Sequence, residues 1–504
     1  MTLAIRGAWR DAMFKQVGVR EVMKAAARSH VTSPRSTVRP LVSRRLKARS
    51  RVTAEPATTR KALPWLVVAF LIGVFIPWLW TIGPLLLLPY RVALLAGFLP
   101  CMFLWLAGRA GRIRAPDILI ILYSIWCPIS LFVVHDAQVA LQSGGIIVVE
   151  TAGAYFLGRC FIRGPDQFYA MTRLLFVLVA IMLPFALVET ITNANVSLDV
   201  FSRFFPTHPE AIKDPRWGLR RVQGVFEHPI LFGVSCGAIL ALVHLVLGGE
   251  ISAAKRWFAT LTVLLTASLS LSSGPLTAIV AQVSLLFWNW LLAKDARRWQ
   301  YLWVILLSMY AFIELASNQT VFEFLLTYFS FEPASAYYRV LIWEFGSQSA
   351  LNHPIFGVGY GRWDRPEWMP PSIDMYWLYH AILFGIPAGI FMMGGFLTMV
   401  ASVAFTKETD ERRLRYRTAY LIVMTGYFLV GWTVHFWNAT YVLFLFLLGS
   451  GSWLLGDVVN ANLGSARTRE INRSSRSRGS ARDEDCNGAD PGLTDGAERN
   501  PKKR

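Results

Sequence analysis

The chain has 504 residues, 54% of them hydrophobic and only 16% charged, with a mean hydropathy of +0.42. A soluble globular chain carries about a quarter charged residues, so this composition excludes one and indicates an all-α, polytopic integral membrane protein. The net charge of +18 does not make it a nucleic-acid binder: residues 1–62 alone hold fifteen Lys or Arg against three acids (Asp11, Glu21 and Glu55), and the remainder is spread over short connections.

No apolar stretch precedes Leu63, so no signal peptide is expected. Residues 1–62 read as a disordered, basic cytoplasmic tail, although an Arg-rich, acid-poor leader is also the composition of a transit peptide. A helix needs about twenty apolar residues to cross a bilayer. Such runs predict about twelve spans between residues 63 and 456, at 63–81, 85–107, 117–135, 143–162, 168–190, 229–247, 257–273, 275–293, 300–316, 375–404, 418–434 and 439–456. The nearly continuous run 257–293 is expected to turn at Ser273-Gly274-Pro275. The polar stretch 457–504 reads as a second disordered tail.

Charge supports this division. With the N-terminus inside, the cytoplasmic connections carry Arg109, Arg112 and Arg114, then Arg159 and Arg163, then Lys255 and Arg256, then Lys294, Arg297 and Arg298, and last Lys407, Arg412, Arg413, Arg415 and Arg417. The short turns on the other side, near Gly83, His135, Gly274 and His435, carry no Lys or Arg. This is the positive-inside pattern, and it predicts both termini in the cytoplasm. Two long connections, at 191–228 and 317–374, break it. Both are expected outside, yet the first holds Arg203, Lys213, Arg216, Arg220 and Arg221, and the second holds Arg339, Arg362 and Arg365. Long loops in a compact protein are usually functional or disordered, and their aromatic and proline content argues against disorder. Arginine retained on the rule-breaking side suggests a bound anion.

The two loops echo one another. In each, an arginine (Arg220-Arg221, then Arg339) precedes a His-Pro-Ile, at His228-Pro229-Ile230 and His353-Pro354-Ile355. Each His-Pro reads as a helix entrance, since proline suits the first helical position. The arginines either grip a diphosphate with their planar forks or tie the loops to backbone carbonyls. Asp374, at the entrance to the long span 375–404, reads as a general base or as a helix N-cap. His380 lies six residues on, on a different helical face, and a lone interfacial histidine is more often structural. Glu150 falls mid-span, where an ionisable group raises the rival reading of a proton-coupled transporter. The five cysteines (Cys101, Cys127, Cys160, Cys236 and Cys486) form no CxxC pair and suggest neither a disulfide framework nor a zinc site.

With these motifs in order, the chain resembles the O-antigen ligase and polymerase superfamily, over roughly residues 63–456. The resemblance rests on Arg221 with Gly224, Phe226, His228 and Pro229. It rests further on Arg339 with Trp343, Pro354, Gly357 and Gly359, and on Asp374, Leu378 and Gly385-Ile386. It implies a glycosyltransferase of the bacterial inner membrane acting on undecaprenyl-diphosphate-linked glycans at the extracytoplasmic face. Arg221 and Arg339 would hold the diphosphate, and Asp374 would orient or deprotonate the acceptor hydroxyl. Arg220, His228, His353, Trp343, Trp363 and His380 are further candidates for binding diphosphate or sugar. Neither metal nor cofactor is expected. A flippase, a chain-length regulator and export proteins are the partners such a protein implies. Trp368, Tyr376 and Trp377 suit sugar stacking or, more simply, an interfacial aromatic belt. The chain departs from the family twice. Ser273-Gly274-Pro275 lacks the arginine often found at that turn, and Asp374-Met375 stands where ligases have His-Asn. The second departure favours the exopolysaccharide and O-antigen polymerase branch over ligation to a lipid or protein acceptor, and argues against transferring a catalytic histidine to His380.

Overall fold

The computed structural model describes residues 62–83, 85–316 and 333–456. The tails expected at 1–62 and 457–504, apart from residue 62, and the front of the second long loop lie outside the described residues. The protein is predominantly helical. Among the described residues, nine helices are long and apolar enough to cross a membrane. They are α2 (Pro89–Leu106), α3 (Ala115–Val134), α4 (Ala137–Phe161), α5 (Pro165–Thr192), α7 (Pro229–Leu247), α9 (Ser273–Leu291), α10 (Arg298–Ala316), α13 (Ile386–Phe405) and α15 (Asn438–Leu455). The shorter or more polar helices are α1 (Trp65–Val74), α6 (Val196–Ser202), α8 (Ala253–Ser268), α11 (Pro333–Asn352), α12 (Tyr376–Phe384) and α14 (Glu411–Val430).

Each of the twelve expected spans contains a helix, but several boundaries move for local reasons. The run 63–81 stays helical only to Val74, because Pro77 denies the next turn an amide donor. The chain then forms a small antiparallel hairpin, Trp80–Ile82 with Leu85–Leu87, turning at Gly83 with φ +59°. The run 257–293 turns at residues 269–272, not at Ser273-Gly274-Pro275, which form the first turn of α9. Proline is well placed there because a first-turn amide has no helical acceptor anyway.

The largest correction concerns 375–404, which is two helices and not one. Gly385 breaks it at φ +85°, and a Cβ there would lie 1.9 Å from the Ile355 carbonyl oxygen. The break frees the carbonyls at the end of α12, and the loop after α11 caps them. Val358 N donates to Ile382 O (3.0 Å) and Gly359 N to Leu383 O (2.8 Å), while Ile386 N donates to Pro354 O (2.8 Å). Gly357 and Gly359, at φ +65° and +58°, permit this threading. These glycines therefore build a splice between the second long loop and the break in the span.

The core is continuous, with α15 at its centre: its residues 439–450 are all buried. At one end of the molecule, arginines are matched by acids. Arg412 meets Asp166 and Glu250, both at 3.0 Å, and buried Arg159 meets buried Asp117 at 3.3 Å. Arg159 thus belongs to a helix and not to a loop. Within the 28 residues of α5, the chain runs from Asp166 at that end to Glu189 at the other, about 35 Å away at 1.5 Å per residue. That second end holds the candidate site.

Candidate functional site

Four connections far apart in sequence meet at this end. The loop 203–228 is held from below by Glu189, whose buried carboxylate accepts from Gln223 N (2.9 Å) and Gly224 N (3.0 Å). Asn195 Nδ2 donates to Gly224 O at 2.8 Å, closing the turn at a glycine with φ +56°. Four residues on, His228 caps α7: its Nδ1 accepts from Ile230 N at 3.1 Å, with Pro229 in the first helical position. On the facing side, Arg221 donates to Ser272 Oγ at 2.9 Å. Arg339, buried on α11, donates through Nε to the Thr433 carbonyl at 3.1 Å.

These elements enclose a cavity of about 350 Å³ lined by Lys213, Arg216, Arg221, Arg339, Asp374 and His228, together with Tyr338, His435 and Trp437. Asp374 does not cap α12. The cap position is Met375, and Asp374 Oδ1 instead accepts from Ser372 Oγ at 2.6 Å. Its carboxylate also helps push the Tyr338 phenol above its ordinary range, after burial as the main cause. Burial holds His228 down at about 4, with Lys213 and Arg221 adding to the shift, and burial alone holds His435 at about 3. Both imidazoles are therefore neutral near pH 7. His435 is clamped by ring stacking on Tyr379, with centroids 3.8 Å apart, and lies 5.9 Å from Trp437.

Of the residues singled out in the sequence, Arg221, Arg339, Asp374 and His228 line this cavity, and five others do not. Arg220 turns away to an ion pair with Glu189 at 3.6 Å and to Glu210 and the Asn193 carbonyl, so it ties the loop together. His353 follows the end of α11 instead of opening a helix, and its Nε2 lies 3.6 Å from Asp364. Trp343 packs edge-on against Trp432 at 6.0 Å. Trp363 is buried and donates to Pro371 O at 3.0 Å. His380 is buried against Tyr123, whose hydroxyl is 2.8 Å from its Nδ1. Glu150 is likewise not at the cavity. Its Oε1 accepts from Arg91 Nε at 2.7 Å and from Tyr90 at 2.9 Å.

Lys213, Arg216, Tyr338 and His435 line the cavity without having been singled out as site residues. Lys213 and Arg216 had a legible signal, as cations on the loop that breaks the charge rule. His435 had none, standing in a two-helix turn like several others. The chain matches no protein-family model and no curated protein.

Proposed function

We propose that this protein is a membrane glycosyltransferase that polymerises polyprenyl-diphosphate-linked oligosaccharide units at the extracytoplasmic face of a bacterial plasma membrane. The observation that carries the reading is the cavity's composition: three cationic side chains from the loop 203–228, one from α11 and the carboxylate of Asp374 line about 350 Å³. That volume suits a diphosphate and the sugar attached to it. The charge pattern supports a twelve-span topology with both termini cytoplasmic, which sets the cavity on the outer side.

In this reading Lys213, Arg216, Arg221 and Arg339 hold the diphosphate of the donor. The acceptor hydroxyl oxygen forms a bond to the donor's anomeric carbon as the bond from that carbon to the diphosphate oxygen breaks. The electron pair leaves with the polyprenyl diphosphate, where fixed cations stabilise the developing charge. Asp374 receives the hydroxyl proton. His435, held neutral at the same cavity, orients the acceptor without adding to the positive charge. Against a proton-coupled transporter stands the pairing of Glu150 with Arg91 and Tyr90, which ties this carboxylate to α2 beside a separate cavity of about 400 Å³.

The test is the size distribution of lipid-linked and surface glycan in a strain whose only copy carries Arg339→Ala. Collapse of long chains to single units is the expected result. Long chains that persist on the lipid carrier, with only their transfer lost, would make the protein a ligase. An unchanged profile with normal protein level would remove Arg339 from the site and the reading with it.

A further inference from the structure

Beside the first cavity lies a second of about 280 Å³, and Lys213, Arg216 and Arg221 line both. To these cations the second cavity adds Asp214 and Trp217 from the same loop. Trp217 is out of place by every local rule. Residues 216–219 form a two-residue hairpin turn, in which Arg216 N donates to Leu219 O and Leu219 N to Arg216 O, both at 2.9 Å. Both central residues have positive φ, +52° at Trp217 and +76° at Gly218. Such a turn favours Asn-Gly, because asparagine tolerates the left-handed region that a bulky side chain resists. Packing does not explain the indole either, since it is 73% exposed. Arg216 fixes the turn by donating to Leu271 O at 3.0 Å. The ring is thus kept at the cavity in spite of its backbone, and strain of that kind collects at binding sites.

An indole beside a carboxylate fits a sugar. The flat ring covers the apolar C–H face of a pyranose, and the carboxylate accepts from neighbouring hydroxyls. Charge narrows the class. Lys213, Arg216, Arg221 and Arg339, set against Asp374 and Asp214, leave two positive charges over the adjoining cavities. A diphosphate esterified at both ends carries one negative charge on each phosphorus and offsets them. A carboxylated sugar would add a charge beyond that balance and set it against Asp214.

We infer that the second cavity holds an uncharged sugar of the donor glycan, beyond the one attached to the diphosphate, with Trp217 stacked on its face and Asp214 accepting from its hydroxyls. The inference rests on the proposed function. With the acceptor beside Asp374 and the diphosphate on the cations, the rest of the donor glycan has to leave the first cavity on another side. The adjoining cavity, reached past Lys213 and Arg216, offers that path. Trp217 and Asp214 then select which repeat unit is joined and take no part in bond making.

The experiment uses the purified full chain and lipid-linked units extracted from a strain that expresses it. The readout is KM for those units divided by the Kd of inorganic diphosphate, which separates sugar contacts from diphosphate contacts. Trp217→Asn suits the turn better, so its thermal midpoint should hold or rise. The ratio should nevertheless increase about tenfold, with kcat within about twofold of wild type. Trp217→Phe, which keeps a flat face, should recover most of that loss. Asp214→Asn should raise the ratio about fivefold, because the hydroxyls lose a charged acceptor. An unchanged ratio in Trp217→Asn would overturn the assignment and leave the cationic site intact. A ratio that is unchanged or falls in Asp214→Asn would overturn it as well, a fall meaning that the sugar is anionic. If the wild type neither binds diphosphate nor polymerises the units, the proposed function fails and this inference with it.

Discussion

The two ends of this molecule treat arginine in opposite ways. At one end, Arg412 is shared between Asp166 and Glu250, Arg413 meets Glu408 at 2.6 Å, and Arg159 meets Asp117. At the other, four cations and a single carboxylate line one cavity. The contrast recurs within two adjacent residues. Arg220 joins Glu189 and Glu210, whereas Arg221 faces the cavity. Four cations around one cavity make it a region of positive field, which on the proposed reading receives an anionic ligand. On that reading, the arginines of the first end stabilise the fold and those at the cavity serve a substrate.

Exchanging arginines across that divide should separate activity from stability. Arg339→Ala and Arg221→Ala are expected to lower polymerisation about a thousandfold, the scale of losing one fixed charge at a leaving group, while the fall in thermal midpoint from the lost bonds to Thr433 O and Ser272 Oγ should be too small to account for it. Arg339→Lys should recover only part of it, because a point charge lacks the planar fork. Activity retained in both alanine variants would dissolve the contrast.

Asp374→Asn comes next. It keeps the shape and can still take the Ser372 hydroxyl bond but cannot accept a proton, so kcat is expected to fall about a hundredfold. Binding of inorganic diphosphate, measured by calorimetry, should be unchanged or slightly tighter once a carboxylate leaves the cavity. Weaker binding would give Asp374 a structural role.

Glu189→Gln tests the underside of the site. The amide would turn one NH2 group towards a backbone N–H that now donates to carboxylate, leaving a buried donor unmatched at a cost of about 1–3 kcal/mol. Glu189 acts only through the loop, so KM for the lipid-linked donor should rise more than kcat falls. On the matched side, Arg412→Ala should leave activity unchanged and lower stability by about 1 kcal/mol or less, since this pair is partly exposed.

How much of this was legible in the chain follows from what each feature depends on. Helices depend on apolar run length, and each of the twelve runs does contain one. Their breaks depend on tertiary fit: Gly385 ends α12 because the Ile355 carbonyl occupies the space of a Cβ, and no local pattern records that carbonyl. The His-Pro at 228 and the one at 353 look alike in sequence, yet one opens a helix and the other follows one. The first is preceded by a loop anchored to Glu189, the second by the helix α11. Arg221 and Arg339 stood out as cations on the rule-breaking side, but that signal could not separate Arg221 from Arg220. The positions of Glu189 and Glu210 do, and Glu189 lies 31 residues before Arg220, on α5. His435 reaches the cavity through ring packing on Tyr379, which a sequence pattern does not encode.

The smallest expected effect reads the cavity's charge directly. His228 protonates at about 4 in the folded protein against 6.5 when exposed. Above pH 6.5 the imidazole is neutral in both states and contributes nothing to the pH dependence of stability. As pH falls from 6.5 towards 4, the unfolded chain takes up a proton that the folded one refuses, so stability declines across that window and levels off below it. His228→Asn still offers a capping oxygen to Ile230 N but does not titrate. Its thermal midpoint should therefore fall less steeply than that of the wild type between pH 6.5 and 4. Diphosphate sharpens the test. Lys213 and Arg221 help hold the His228 pKa down, and an anion bound between them would cancel part of their field and let it rise. With diphosphate present, the difference in slope between wild type and variant should shrink. If diphosphate leaves that difference unchanged, the anion is not bound beside His228, and the cations of this cavity need another explanation.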